Sequence, residues 1–82
     1  MKLKKGTVDS NHLNLLMELT SIRSEPVIKG LHLHLCEGFT QAEAAQKAAV
    51  AQSLLSRRVT ILNKVNQTVK NLSVYYPNNK AV

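Results

Sequence analysis

The stretch GFTQAEAAQKAAVAQSLLSRRVTIL, residues 38–62, decides the fold, because it devotes six positions to alanine and then sets two arginines side by side. Alanine raises helix propensity and lets helices approach closely, and neither property calls for the arginines or the polar residues around them. Spacing supplies the reason. Thr40 followed by Glu43 reads as a capping box, with Phe39 placed to staple onto the first turn, so a short helix is predicted over about 41–48. Ala45 then falls where two helices meet at close range and only a small side chain fits, Ala49 falls in a turn of about three residues, and Val50 plugs the core beneath. Beyond the turn Leu55, Val59, Leu62, Val65 or Asn66, Val69 and Leu72 recur at intervals of three and four over about five helical turns, with Asn66 the candidate point for a break. Together these make a helix-turn-helix at about 40–65. Many such turns place glycine at a positive φ; a left-handed alanine costs ~1–2 kcal/mol, so Ala49 points to a slightly different or longer turn.

Upstream, residues 1–9 are basic, lack apolar periodicity and contain Gly6, which predicts a mobile tail. A first helix follows, capped by Asp9 or Ser10, with Leu13, Leu16, Met17 and Leu19 or Thr20 at helical spacing and Leu15 as an extra apolar position. Pro26, preceded by Ser24 and Glu25, starts a second helix that runs to about Glu37 and stops at Gly38. It buries Val27, Ile28, Leu31, Leu35 and Cys36, with Leu33 on another face, and Gly30 inside it implies the close approach of a neighbouring helix. Tyr75-Tyr76-Pro77 closes the structured part, leaving a short tail over 78–82. With no stretch of period two, the expected fold is all-α: one helical domain over 10–77 with four to five helices.

The outward positions of the helix after the turn are Ala51, Gln52, Ser53, Ser56, Arg57 and Thr60, flanked by Arg58 and Lys64. Gln and Arg make bidentate contacts with adenine and guanine edges, and Ser and Thr bond bases or phosphates. Thr40 and Gln41 stand at a helix N-terminus, whose free N–H groups and dipole favour phosphate oxygens, and Lys47 lies near them. Charge points the same way. Residues 1–43 carry five basic and five acidic side chains, whereas residues 44–82 carry six basic ones and no acid, so the whole net charge of +6 sits in the second half. Such a half attracts polyanions by counterion release.

Other classes fit poorly. An 82-residue chain buries only about 60–65% of its unfolded surface. The lone Cys36 makes no internal disulfide, so self-association is expected to help the small core. His32 and Cys36 fall one helical turn apart, but two ligands make a poor metal site; packing for Cys36 and partial exposure for His32 and His34 are expected instead, and no metal or cofactor. Paired carboxylates, a phosphate-cradling glycine loop and a nucleophile with a base are all missing from the pattern, so neither an enzyme nor a small-molecule substrate is expected. The basic start leads into no apolar signal core and no run of eighteen apolar residues occurs, which predicts a cytoplasmic, non-membrane protein.

The segments SIRSEPVIKGLHLHLCEGFT (residues 21–40), SLLSRRVTILNKV (residues 53–65) and YYP (residues 75–77), taken in order, resemble the PapB-type regulators of bacterial fimbrial adhesin biosynthesis over residues 19–77. That resemblance implies an all-helical fold with a helix-turn-helix, dimers and larger assemblies, and control of fimbrial operons by binding A·T-rich DNA in a mode linked to the minor groove. The residues themselves leave the groove open: a major-groove arginine would hold a guanine edge, whereas in a narrow minor groove it reads potential and width. The expected function is an oligomeric DNA-binding transcription regulator. The alternative is a helical protein-protein adaptor that uses Leu62, Val65, Val69 and Leu72 as a seam, its charge incidental.

Overall fold

A computed structural model of the chain describes residues 3–76. Four helices build it: α1 (Ser10–Glu18), α2 (Glu25–Leu31), α3 (Gln41–Ala48) and α4 (Gln52–Leu72). α2 runs on as a π-helical segment over His32–Cys36, and a 3₁₀ turn over Ser73–Tyr75 follows α4. Among the described residues there is no strand, as the absence of period-two alternation predicts. The expected tail over 78–82 and the stop at Pro77 lie outside the described residues.

The first three helices start where their local chemistry says. The Asp9 carboxylate accepts from the N–H groups of Asn11 and His12, and Pro26 occupies the first turn of α2, where a missing N–H costs nothing. At α3 the capping box is complete: Thr40 Oγ1 accepts from the Glu43 N–H at 3.1 Å, and the Glu43 carboxylate accepts from the Thr40 N–H at 3.0 Å. These bonds from Thr40 hold the Glu43 carboxyl below its ordinary value, with Lys5 and Lys47 lowering it further. A depressed carboxylate pKa stabilises fully above the unfolded value and is lost as pH falls through the folded one. The first turn of α3 should therefore fray below about pH 4, seen as faster amide exchange at Glu43 ahead of global unfolding.

The core joins all four helices. Leu13, Leu31, Leu35, Leu55 and Leu62 are fully buried, and Val8, Leu16, Met17, Ile22, Val27, Ala44, Ala45 and Val59 join them, with Val50 and Phe39 packed against the edge. α2 packs on both α3 and α4, and α1 on α4. Gly30 is where this crossing is tightest: a Cβ there would stand 3.1 Å from Leu55 Cδ1 and 3.4 Å from Ala48 Cβ.

Three expectations are corrected. The turn is neither longer nor different, since Ala49 itself adopts the left-handed conformation at φ 60° and ψ 43°. The Ala49 N–H donates to the Gln46 carbonyl and the Val50 N–H to the Ala45 carbonyl, a Schellman closure that offsets the strain of a non-glycine residue. Ala49→Gly should raise stability by roughly 0.5–1 kcal/mol, because the relieved left-handed strain outweighs glycine's extra chain entropy; a higher urea midpoint at unchanged m-value is the readout. Second, α4 does not break at Asn66, which faces inward and is buried on an uninterrupted helix free of glycine and proline. Third, the segment expected to trail as a tail is in contact with the domain from Leu3 onward. Val8 is buried, the Gly6 and Val8 N–H groups donate to the His34 and Leu35 carbonyls of the π segment, and the Leu3 N–H donates to Asn63 Oδ1 at 2.7 Å. No sequence period signals these long-range backbone bonds.

Candidate nucleic-acid interface

α4 carries most of the predicted contact residues, and its helical phase sorts them. Leu55, Val59, Leu62 and Asn66 mark the buried face. Opposite it, at intervals of four, three and four, stand Ser53, Arg57, Thr60 and Lys64, all exposed, which makes a continuous polar and cationic stripe over three turns. Gln52, exposed, and Ser56, half-buried, flank the stripe on one side. Ala51 is the exposed N-cap residue of α4 and gives no side-chain cap; no acidic side chain occupies the first turn. That end keeps unpartnered N–H character and a positive dipole end facing solvent, both favourable to a phosphate.

The paired arginines lie on different flanks of α4. Consecutive helical residues point about 100° apart. Arg57 thus lies in the outer stripe, while half-buried Arg58 turns to the other flank and lines a groove with Ser21, Ile22, Arg23, Ser24, Val27 and Leu54. Arg23 was missed by sequence reasoning. Its guanidinium donates to the Ile22 carbonyl at 2.8 Å and the Thr20 carbonyl at 3.0 Å, which fixes the α1–α2 connection and brings a second guanidinium to the Arg58 groove. The hint in the sequence was an arginine between Ile22 and Ser24 in the break before Pro26.

At α3 the picture shifts from expectation. The Thr40 hydroxyl is engaged in the cap and the Glu43 carboxylate sits over the same turn, so this N-terminus offers an anion less than its position alone suggests. Gln41 is half-buried beside it, and Lys47 is exposed with its ammonium 5.0 Å from the centre of the Phe39 ring, a cation–π contact that orients the charge. The structure therefore brings Gln52, Ser53, Ser56, Arg57, Thr60 and Lys64 onto one side of α4, leaves Ala51 at its N-cap, sets Gln41 and Lys47 on α3 with Thr40 at its N-cap, and puts Arg58 on a separate flank.

The matching protein-family model, described as the adhesin biosynthesis transcription regulatory protein PapB, covers residues 1–76. The chain belongs to the PapB family. Among its relatives are the AFA-III adhesin operon regulatory protein of Escherichia coli, 31% identical over 74 residues that span 90% of this chain and 73% of that protein, and the E. coli regulatory protein FanB, 29% identical over 72 residues spanning 88% and 73%. The crystal structure of E. coli FocB superposes with a TM-score of 0.84 at 25% identity, covering 92% of this chain and 85% of that one. A PapB-family chain is a transcription regulator with a general DNA-binding role, not a catalyst. α3 and α4 form a helix-turn-helix-like arrangement within this fold.

The histidines and the cysteine around the π segment of this PapB-family domain have partners inside the fold. His34, expected to be partly exposed, is buried instead, and its Nδ1 bonds the Phe39 carbonyl at 2.7 Å, tying the π segment to the residue just before the α3 cap. His32 is half-buried, with Nε2 3.1 Å from Asn14 Oδ1 and Nδ1 3.8 Å from Cys36 Sγ. Burial, aided by the charges of Asp9 and Glu37, pushes the Cys36 thiol up, which keeps it protonated. Among the described residues no three His, Cys, Asp or Glu side chains converge on a metal-sized site, and no helix is long and apolar enough to cross a membrane.

Proposed function

We propose that this chain regulates a bacterial fimbrial or adhesin operon by binding A·T-rich promoter DNA as a dimer or larger assembly in the cytoplasm, on the nucleoid. The observation that carries the proposal is the outer stripe Ser53, Arg57, Thr60 and Lys64, exposed over three turns of the second helix of a helix-turn-helix. In this reading Gln52, Ser53, Ser56 and Arg57 meet the DNA, Ala51 lets the backbone approach, and Thr60 and Lys64 follow the phosphates down the helix. Arg58 reaches phosphate from the flank. Gln41 and Lys47, with Thr40 at the cap, hold the neighbouring strand. The AFA-III protein's name as an adhesin operon regulatory protein supports the operon assignment, and FanB's name supports a regulatory role.

Self-association has its own support. Leu19 at 64% exposure, Ile61 at 40%, Val69 at 37% and Leu72 at 48% join half-buried Val65 around an apolar trough on α4, a surface too apolar to leave open in a small protein. Leu62, the fourth candidate for a seam, belongs to the core. Val69→Glu with Leu72→Glu should convert a dimer or larger species at micromolar concentration to monomer in sedimentation, with helicity kept. A wild-type chain that sediments as a monomer contradicts the assembly.

Fluorescence anisotropy with A·T-rich and G·C-rich duplexes at several salt concentrations tests the whole reading. Tighter binding to the A·T-rich duplex with a steep salt slope is the expected result. No binding to either duplex rejects the reading in favour of a protein-protein adaptor working through the trough.

A further inference from the structure

The N-terminal segment holds two lysines in a built turn beside the proposed interface. The Lys4 carbonyl accepts from both the Thr7 N–H at 3.2 Å and the Thr7 Oγ1 at 2.7 Å, which closes a four-residue turn. Gly6 stands at its third position with φ +71°, a conformation that glycine takes without steric cost. Lys4 and Lys5 are the first two residues of that turn, and both are exposed. The turn is anchored on each side. Beyond it the Gly6 and Val8 N–H groups bond the His34 and Leu35 carbonyls, and before it the Leu3 N–H bonds Asn63 of α4. Gly6 packs so closely on Gly38 that an added Cβ would lie 3.0 Å from the Gly38 Cα.

Two observations locate the lysines relative to the helix-turn-helix. Asn63 follows Ser56 by two helical turns and Gln52 by three, so the segment docks on the Gln52–Ser56 flank of α4, about 10 Å along the axis from Ser56. Lys5 is also near enough to the first turn of α3 to join Lys47 in lowering Glu43, after the larger effect of the Thr40 bonds. The turn thus lies between the start of α3 and the second half of α4, with Lys5 toward Glu43 and Lys4 beside a groove lined by Asn66, Val69 and Lys70.

We propose that the Lys4–Lys5 turn is a second, preorganised phosphate-binding element, which grips the DNA backbone beside the face presented by α3 and α4. It rests on the DNA-binding reading above. Lysine at this place is a point charge for phosphate and reads no base, so the turn adds affinity and salt dependence but no sequence preference. Holding the turn in advance spares the ordering entropy that a loose basic tail would lose on binding.

The test is anisotropy titration of the full chain with a labelled A·T-rich duplex across salt, comparing wild type with the Lys4→Gln, Lys5→Gln double variant. Both side chains are exposed, so the fold should be unaffected. Affinity at low salt should drop about three- to tenfold and the slope of log K against log salt should shrink by about 1–2, with the ratio between A·T-rich and G·C-rich duplexes unchanged. Gly6→Val keeps both charges but disrupts the turn; it should lose affinity as well, and its loss should not add to that of the double variant when the three changes are combined. Wild-type affinity and slope in the lysine variant overturn the proposal, and fully additive losses overturn the preorganised turn. No binding by the wild-type chain refutes instead the DNA-binding reading itself.

Discussion

Gly30→Val should destabilise the domain by about 3 kcal/mol, the upper end of the range for overpacking a close-packed core. The reason lies in the crossing of α2 with the helix-turn-helix. Gly30 is buried, and even a single added carbon would come within 3.1 Å of Leu55 Cδ1 and 3.4 Å of Ala48 Cβ. Leu55 has no exposed surface and cannot swing aside into solvent. Valine adds two more methyl carbons to a space that barely admits one, and its better helix propensity returns only a few tenths of a kcal/mol. Gly30→Ala makes the informative comparison, since its gain of about 1 kcal/mol in propensity roughly offsets a small displacement of the Leu55 side chain. Urea unfolding reads both. A lower midpoint for valine with alanine near wild type fits the tight crossing, whereas full tolerance of valine would mean that these helices do not meet as closely as Gly30 requires.

The Arg57→Ala, Arg58→Ala double variant should keep its helicity and lose DNA affinity by tenfold or more, which corresponds to at least about 1.4 kcal/mol. The two contributions differ in kind. Arg57 belongs to the outermost stripe of α4 with Ser53, Thr60 and Lys64, so its loss removes a contact made directly at the duplex. Arg58 is half-buried in the groove that also holds Arg23, where the carbonyl-bound guanidinium of Arg23 leaves a cationic spot after Arg58 is gone. Arg57→Ala alone is therefore expected to carry most of the change, and Arg58→Ala alone mainly a smaller salt slope. Unchanged affinity in the double variant takes both arginines out of the interface.

What was legible in the sequence is what local chemistry writes there. Thr40 and Glu43 declare the start of α3 within four residues, Gly30 and Ala45 declare close approach by their lack of bulk, and the three-four ladder from Leu55 declares the face of α4 that is buried. Illegible features depend on partners far away in the chain. The turn at Lys4–Thr7 reads as a basic tail because its anchors, the His34 and Leu35 carbonyls and the Asn63 side chain, are backbone groups or distant residues with no pattern to reveal them. The burial of His34 depends likewise on the Phe39 carbonyl meeting its ring. Ala49 shows the opposite failure: the strain of a left-handed alanine was legible, but the Schellman bonds at Ala45 and Gln46 that make it tolerable belong to the folded turn. On α4, helical phase already set Arg57 outward and Arg58 on the flank, and what the sequence did not show is the α1–α2 loop that half-buries Arg58 beside Arg23.

The most direct measurement is amide chemical-shift mapping of the labelled protein as an A·T-rich duplex is added. The changes should centre on residues 51–64 of α4 and 40–47 of α3, with the buried face of α4 unmoved. Changes confined to the apolar trough of Leu19, Ile61, Val69 and Leu72, with the Arg57 stripe silent, would contradict a duplex seated on the helix-turn-helix.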